Sequence, residues 1–205
     1  MAEKQARLFR LFVACELSDD VRRALGNVQD DLRRAIPVRL RWVRPEGIHI
    51  TLKFLGEVEA ARVGEIESAL GAAIDPFEAR VRPAGLGGFP SASLRASGGS
   101  RLRVVWVGLA GDVECLARLA ERVDGALAPL GFPSEARPFA AHLTLARVPD
   151  EASPEDRRRL AGLLEGHSLA ELPSMILTEA HLIRSVLEPG GSAYQRLATF
   201  PSTDA

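Results

Sequence analysis

The feature that most constrains the fold is a short strand pattern that occurs twice, once in each half of the 205-residue chain. The stretches HITLKFLG, beginning at His49, and HLTLAR, beginning at His142, share the order histidine, apolar residue, threonine, apolar residue. Around each stretch the sequence predicts the same succession of a helix, the histidine strand, a second helix and two further strands. We therefore interpret the chain as an element-level repeat, roughly over residues 19–109 and 112–200.

The predicted elements favour one domain of the α+β class over residues 1–205. Two similar lobes with largely antiparallel sheets around a central cleft, with one H-x-T strand in each lobe, would bury the apolar faces of all these elements. No linker separates the repeats into independent domains. The glycine- and serine-rich stretch 85–100 predicts a loop between two strands.

Composition excludes several classes of protein. The net charge of −1 rules out a global positive field that would draw the chain onto nucleic acid or acidic membranes. The N-terminal sequence lacks the apolar core of a signal peptide, and no apolar run approaches the about 20 residues of a membrane span. Two distant cysteines, Cys15 and Cys115, indicate reduced thiols. We expect a soluble, cytoplasmic protein that makes no membrane contact.

Alternation along a strand assigns the side chains of both motifs to faces. It predicts that His49, Thr51 and Lys53 share one face of the first strand, and that His142 and Thr144 share one face of the second. The opposite faces are predicted to be buried in the core and consist of Ile50, Leu52 and Phe54 in the first strand and Leu143 and Leu145 in the second.

The repetition changes how the histidines are interpreted. A single strand histidine is more often structural, but two of the four histidines stand in matching contexts. His167 and His181 lack such a context, and we interpret them as structural or solvated. Two imidazoles are too few for a typical metal site, and no carboxylate or thiolate accompanies either motif. One neutral and one charged imidazole, with hydroxyls that hold an anion, suit acid–base catalysis at a phosphate.

The paired motifs resemble the H-x-[ST]-apolar signatures of the two-histidine phosphoesterases. Together with RLFVACEL, RWVRPEG, GGFP, RVVWVGL, PFAAHLTLARV and IRSVLEPGGSAYQRL, they make nearly the whole chain similar to the RNA 2′,3′-cyclic phosphodiesterases, historically called 2′-5′ RNA ligases. The resemblance implies a two-lobed enzyme that opens a 2′,3′-cyclic phosphate at an RNA end to a 2′-phosphomonoester, without a metal or other cofactor. It also implies RNA ends, including tRNA halves, or related nucleotides as partners, and we expect a monomer.

Carried over by position, the resemblance implies five site residues. The acid–base pair would be His49 and His142, the threonines Thr51 and Thr144 would hold nonbridging phosphate oxygens, and Arg147 would approach the ligand. Strict alternation places Arg147 on the face opposite His142, so it reaches the site only if the strand twists, bulges or ends first. One departure from the family pattern is Ala141, where a proline is usual.

Two further candidates are weighed against structural roles. Phe12 could stack on an RNA base or belong to the core, and Lys53 could meet a phosphate. The residues leave open which histidine is acid and which is base, with a preference for His142 as the base. Alternative functions are 2′-5′ RNA ligation or cleavage of a small cyclic nucleotide at the same site, and a non-catalytic module that binds RNA or a nucleotide. A metallohydrolase is the poorest option.

Overall fold

The computed structural model describes residues 7–89, 101–188 and 191–201. Its sheet consists of nine strands. In chain order the strands are β1 (Leu8–Glu16), β2 (Arg41–Trp42), β3 (His49–Glu59), β4 (Ala79–Phe89), β5 (Val104–Gly111), β6 (His142–Arg147), β7 (Met175–Leu177), β8 (Ala180–Glu188) and β9 (Gly191–Phe200). The α-helices are α1 (Asp19–Ala35), α2 (Val63–Ala73), α3 (Val113–Leu127) and α4 (Pro154–Gly166), and short 3₁₀ helices span Pro45–Gly47, Ala60–Arg62 and Ala128–Leu130. In the part of the chain described, no helix is long and apolar enough to cross a membrane.

The two H-x-T strands lie next to each other at the centre of the sheet. The strand order is β7-β4-β5-β6-β3-β1-β8-β9, with the short β2 paired to β6, and these pairings are antiparallel. A single residue pair, Ile50 with Leu143, joins β3 to β6. The predicted α+β fold with two lobes and antiparallel sheets is confirmed, with the two lobes sharing one curled sheet.

Each lobe draws its strands from both halves of the sequence. One half of the sheet consists of β3, β1, β8 and β9, and the other of β6, β5, β4 and β7. On the outer side of β3 lies β1. Beyond β1 lie β8 and β9, which follow β3 by more than a hundred residues in the chain. The proposed sequence repeat over 19–109 and 112–200 stays a prediction, but its two segments interleave in space.

The helices and the main core lie on one face of the sheet. Helix α1 follows Ser18, and its buried residues recur at the three- to four-residue spacing of an amphipathic helix. Alternate strand residues such as Val13 and Val105 are fully buried in the main cluster with helix residues. On the other face, Phe12, Ala14 and Ile183 form a small separate cluster. We call this second face the cleft face.

The glycine-rich segment corrects part of the sequence prediction. Residues 85–89 belong to β4 rather than to a loop. The remainder of the predicted loop, residues 90–100, lies outside the described residues. Both cysteines are free thiols, as expected, and burial raises the pKa of Cys15 to about 12.

Candidate active site

Both motif histidines are anchored in the same way by their own backbone. The Nδ1 atom of His49 lies 2.9 Å from the carbonyl oxygen of Gly47, and Nδ1 of His142 lies 2.7 Å from that of Ala140. A carbonyl oxygen only accepts, so each Nδ1 carries the proton and donates it. The Nε2 atom of each ring is left to exchange protons with a ligand, and a backbone bond fixes the orientation of each ring.

Aromatic rings surround His49 on two sides. Its imidazole stacks on Phe12, with ring centroids 4.6 Å apart, and meets Tyr194 edge-on at 5.3 Å. Burial lowers the pKa of His49 from 6.5 to about 4, although the Gly47 carbonyl and the charge of Glu16 act in the opposite direction. His49 is therefore neutral at neutral pH while the site holds no ligand.

His142 has a different aromatic neighbour. Its ring meets Phe89 edge-on, with centroids 4.9 Å apart. Phe89 in turn packs against Trp106, with centroids 5.4 Å apart. The GGFP stretch that contributed to the family resemblance thus supplies a ring that contacts the second histidine.

The pairing of β3 with β6 arranges the motif residues around a common point. Ile50 and Leu143 face each other, and both are fully buried in the main core. Their flanking residues therefore point to the cleft face. The antiparallel register of this pair sets His49 opposite Thr144 and Thr51 opposite His142. Two imidazoles and two hydroxyls thus meet at the centre of the sheet, arranged crosswise.

A bulge in β6 brings Arg147 to the same face. Thr144 pairs with Trp106 and Arg147 pairs with Val104, so three steps along β6 match two steps along β5. The additional residue reverses the alternation once, and directly paired residues share a face of the sheet. Arg147 is exposed on the cleft face with His142, whereas strict alternation would place it on the opposite face.

An equivalent bulge in β3 exchanges the predicted faces of two residues. Thr51 pairs with Ala14 and Phe54 pairs with Phe12, so three steps along β3 match two along β1. Phe54 therefore lies on the cleft face and is 59% exposed, whereas Lys53 is 3% exposed on the helix side. The predictions that Phe54 belongs to the core and that Lys53 shares the face of the histidine are both wrong, because the bulge breaks the alternation.

Lys53 binds elsewhere, which excludes it from the phosphate site. Its ammonium donates to the carboxylate of Asp124 in α3 and, at 2.7 Å, to the carbonyl oxygen of Pro133. The bond from Lys53 is the main reason why the pKa of Asp124 is lowered. A buried ammonium requires such partners, so Lys53 fastens β3 to α3.

Phe12 also differs from one of its two predicted roles. It lies on the cleft face, but it is only 3% exposed because His49 covers one face of its ring. Phe12 is not available to stack on an RNA base. Its contact with His49 instead supports the imidazole from below and removes it from water.

Sequence reasoning assigned no role to Tyr194, which adjoins the first histidine. Its ring meets both His49 and Phe12 edge-on, and it is 39% exposed. A Cβ atom on Gly47 would lie 3.1 Å from Cε2 of Tyr194, so this ring also covers the segment that anchors His49. Tyr194 comes from β9, far from the motif in sequence, and no local pattern signals the contact.

Comparisons with known proteins identify the family to which the chain is related. The family described as LigT like Phosphoesterase matches residues 16–97 and 107–194. The chain is 32% identical over 194 residues to the RNA 2′,3′-cyclic phosphodiesterase of Methanothermobacter thermautotrophicus, covering 93% of this chain and 97% of that protein. It is 35% identical over 192 residues to the protein of the same name from Archaeoglobus fulgidus, covering 93% and 99%.

Solved structures show the same fold. The crystal structure of E. coli LigT complexed with 3′-AMP superimposes with a TM-score of 0.71 at 26% identity, covering 95% of this chain and 98% of that one. The family match, the relatives above 30% identity and this superposition each extend over both H-x-T strands. The chain therefore belongs to the LigT-like phosphoesterase family.

Proposed function

We propose that this protein hydrolyses the 2′,3′-cyclic phosphate at an RNA end to a 2′-phosphomonoester, without a metal ion. The observation that carries the proposal is the crosswise arrangement of two backbone-anchored imidazoles and two threonine hydroxyls on neighbouring strands. The relatives named as RNA 2′,3′-cyclic phosphodiesterases support this choice of substrate. In the described residues, no group of three His, Cys, Asp or Glu side chains lies close enough to hold a metal.

The site residues divide the reaction between them. A water oxygen attacks phosphorus and gives its proton to Nε2 of one histidine, while the bond from phosphorus to O3′ breaks and O3′ takes a proton from the other histidine. Thr51 and Thr144 donate hydrogen bonds to the nonbridging oxygens, and Arg147 neutralises charge that develops on them. The two imidazoles exchange their protonation states in each turnover, so water must restore them before the next.

The protonation state of His49 bears on which histidine is the base. Its lowered pKa keeps it neutral in the unliganded site, which fits a proton acceptor rather than the donor that the sequence motifs favoured. A bound phosphate anion would raise that pKa.

A substrate with sulfur in place of O3′ tests the roles of the two histidines, because a thiolate leaves without a proton. This substrate should restore activity to the variant that lacks the acid and not to the one that lacks the base.

The central experiment uses an oligonucleotide that ends in a 2′,3′-cyclic phosphate, in the presence of EDTA. The wild type should convert this end to a 2′-phosphomonoester, and His49→Ala and His142→Ala should each lose about 10²- to 10⁴-fold in kcat/KM. His167→Ala, which removes a histidine beyond the end of α4, is the matched control and should retain full activity.

Several outcomes would contradict the proposal. An inert wild type, a fully active His49→Ala or His142→Ala variant, or activity that EDTA abolishes and added metal restores would each do so. Joined 2′-5′ products from RNA halves would instead indicate the ligase alternative. The monomeric state and the cytoplasmic location stay predictions, and sedimentation of the purified protein tests the first.

A further inference from the structure

The short strand β2 places a second arginine beside Arg147. Arg41 is the register partner of Arg147 in the antiparallel pair of β2 with β6, and Trp42 pairs with Ala146. Directly paired residues share a face of the sheet, so Arg41 lies on the cleft face. Trp42 takes the opposite face, where it packs against the main core. Two guanidiniums therefore stand side by side at the end of β6, and we call Arg41 and Arg147 the arginine pair.

This pairing of like charges is unfavourable for the fold. Two cations directly opposite each other on neighbouring strands repel, and both arginines are exposed. Nη2 of Arg41 lies 3.5 Å from Oε1 of Glu151, and the two side chains are 70% and 72% exposed. An ion pair so exposed contributes little to stability, so it does not offset the repulsion. A bound anion would relieve the repulsion, which indicates that the arginine pair is built to hold one.

A third arginine adds to the positive charge beside β2. Arg39 precedes Arg41 by two residues and is exposed. A hydrogen bond from its own backbone is the main reason why the pKa of Glu151 is lowered, and the charges of Arg41 and Arg39 act in the same direction. Both guanidiniums therefore lie within electrostatic range of the same carboxylate, next to the arginine pair.

The corresponding end of β3 has the opposite balance of charge. Glu57 and Glu59 are exposed there, and their register partners in β1 are Arg10 and Leu8. Two carboxylates thus face one guanidinium at that end. An anionic chain that leaves the centre of the site is therefore drawn toward the arginine pair and away from the end of β3.

The separation from the reacting groups suits the next phosphate of an RNA chain. The bulge leaves Arg147 two strand steps from Thr144, or roughly 7 Å at the usual rise per residue. Arg41 lies across from Arg147, at the about 4.5–5.5 Å that separates paired Cα atoms. In an RNA end, only the sugar lies between the cyclic phosphate and the phosphodiester on its 5′ side. With the cyclic phosphate at Thr144, that phosphodiester falls within reach of the Arg41 guanidinium.

From these observations we infer that Arg41 binds the phosphodiester on the 5′ side of the terminal nucleotide, and this inference rests on the proposed function. A guanidinium binds phosphate oxygens through a planar fork of donors and does not lose its charge. Arg147 then serves the reacting phosphate, and Arg41 serves the phosphate that precedes it. The site is therefore built for an RNA chain rather than for a small cyclic nucleotide.

The test compares two dinucleotides that both end in a 2′,3′-cyclic phosphate. One has a normal phosphodiester between its nucleotides, and the other has an uncharged methylphosphonate in that place. The wild type should prefer the charged dinucleotide roughly 10-fold in kcat/KM, as expected for one hydrogen-bonded contact between charged groups. Arg41→Gln should lose this preference. Arg23→Gln, which removes a similarly exposed arginine from its ion pair with Asp20 on α1, is the matched control and should retain it.

Salt dependence supplies a second measurement. For the charged dinucleotide, the slope of log kcat/KM against log salt concentration should be about 0.7 less steep in Arg41→Gln than in the wild type, because one phosphate contact is lost. For the methylphosphonate dinucleotide the two slopes should agree. A merely structural role for Arg41 would instead affect both dinucleotides alike, and that result would overturn the inference.

The outcomes separate this inference from the proposed function. A wild type that treats both dinucleotides equally, an Arg41→Gln variant that keeps the preference, or an Arg23→Gln variant that loses it would overturn the role of Arg41 while the phosphodiesterase activity stands. If the wild type hydrolyses neither dinucleotide, the proposed function fails, and binding then decides the inference. Calorimetry with the corresponding dinucleotides that end in a 2′-phosphate should show the same preference in the wild type and its loss in Arg41→Gln. Equal affinities in the wild type would overturn the inference.

Discussion

His49 links the chemistry of the site to the stability of the fold. The folded chain favours its neutral form because the ring is packed between Phe12 and Tyr194. In the unfolded chain the same imidazole takes up a proton at pH 6.5, whereas in the folded chain it does so only near pH 4. Its contribution to the free energy of unfolding is therefore fully present above pH 6.5 and is lost as the pH falls toward 4.

A comparison with His49→Gln isolates this effect. Between pH 6.5 and pH 4, the free energy of unfolding of the wild type should fall by up to about 3 kcal/mol more than that of the variant. Urea denaturation at a series of pH values measures the difference. Subtracting the variant also removes the parallel contribution of His181, whose pKa is lowered by burial as well. Parallel pH profiles for the two proteins would show that burial does not depress the pKa of His49.

Candidate site residues could be predicted from the sequence where a residue type suited to catalysis also occurred in a repeated motif. Each motif marks its own histidine and threonine, and the structure brings both pairs to one face. Lys53 and Phe12 illustrate the limit, because their roles depend on which neighbours cover them. Asp124, which binds Lys53, lies 71 positions away in the sequence, so no local sequence pattern predicts the contact.

At the scale of elements, the bulges decide which side chains face the cleft. The additional residue of β6 is Leu145, and its carbonyl oxygen accepts from the backbone of Val43 and from the side chain of Gln29. The Gln29 amide is fully buried in α1 and donates to the carbonyl oxygens of Val43 at 2.7 Å and Leu145 at 2.9 Å. One helix residue thus fastens the bulge that turns Arg147 toward the cleft.

Replacing Gln29 with Met should therefore affect stability and activity by separate routes. The loss of two buried hydrogen bonds should cost about 1–3 kcal/mol in the free energy of unfolding. A looser bulge should also lower kcat/KM, because Arg147 no longer holds its position.

A double-mutant cycle with Arg147→Ala checks this mechanism. In the Arg147→Ala background the effect of Gln29→Met on kcat/KM should disappear, whereas its cost in stability should remain. Additive effects on kcat/KM would contradict a positioning role for Gln29.

The dependence of bulges on neighbouring strands explains why the strands were easier to predict than the bulges within them. Alternation of apolar residues indicated most strands correctly, but a bulge depends on the partner strand and on residues such as Gln29. The glycines of β4 misled the prediction in another way. A Cβ atom on Gly87 would lie 2.3 Å from Cζ2 of Trp106, so this glycine marks a close approach of a ring to the strand rather than a loop.

At the scale of the whole molecule, the interleaving of the two sequence segments makes the lobes interdependent. The segment 1–111 contains the pairs β1–β3 and β4–β5, but β6 from the other segment is the strand that joins them. Among the described residues of the segment 112–205, only the β8–β9 pair remains, because β6 and β7 pair with strands of the first segment. Neither segment can complete a lobe by itself.

Fragments 1–111 and 112–205, prepared separately, should therefore lack cooperative thermal unfolding. Mixing them should restore strand content and, to a measurable extent, phosphodiesterase activity. Circular dichroism of each fragment and of the mixture checks the first expectation, and a full-length chain nicked between the same residues serves as the control. A fragment that unfolds cooperatively alone would contradict the interdependence of the lobes.

The single pair of Ile50 with Leu143 has a consequence for how such a scaffold diversifies. The gap between the two imidazoles is fixed at the middle of the sheet, whereas β7 and β9 are its outermost strands. Changes confined to β7 would leave the separation of the reacting groups unaltered, whereas changes in β9 would also shift the Tyr194 ring beside His49. The architecture thus lets one margin of the sheet vary, while the other margin is tied to the chemical centre.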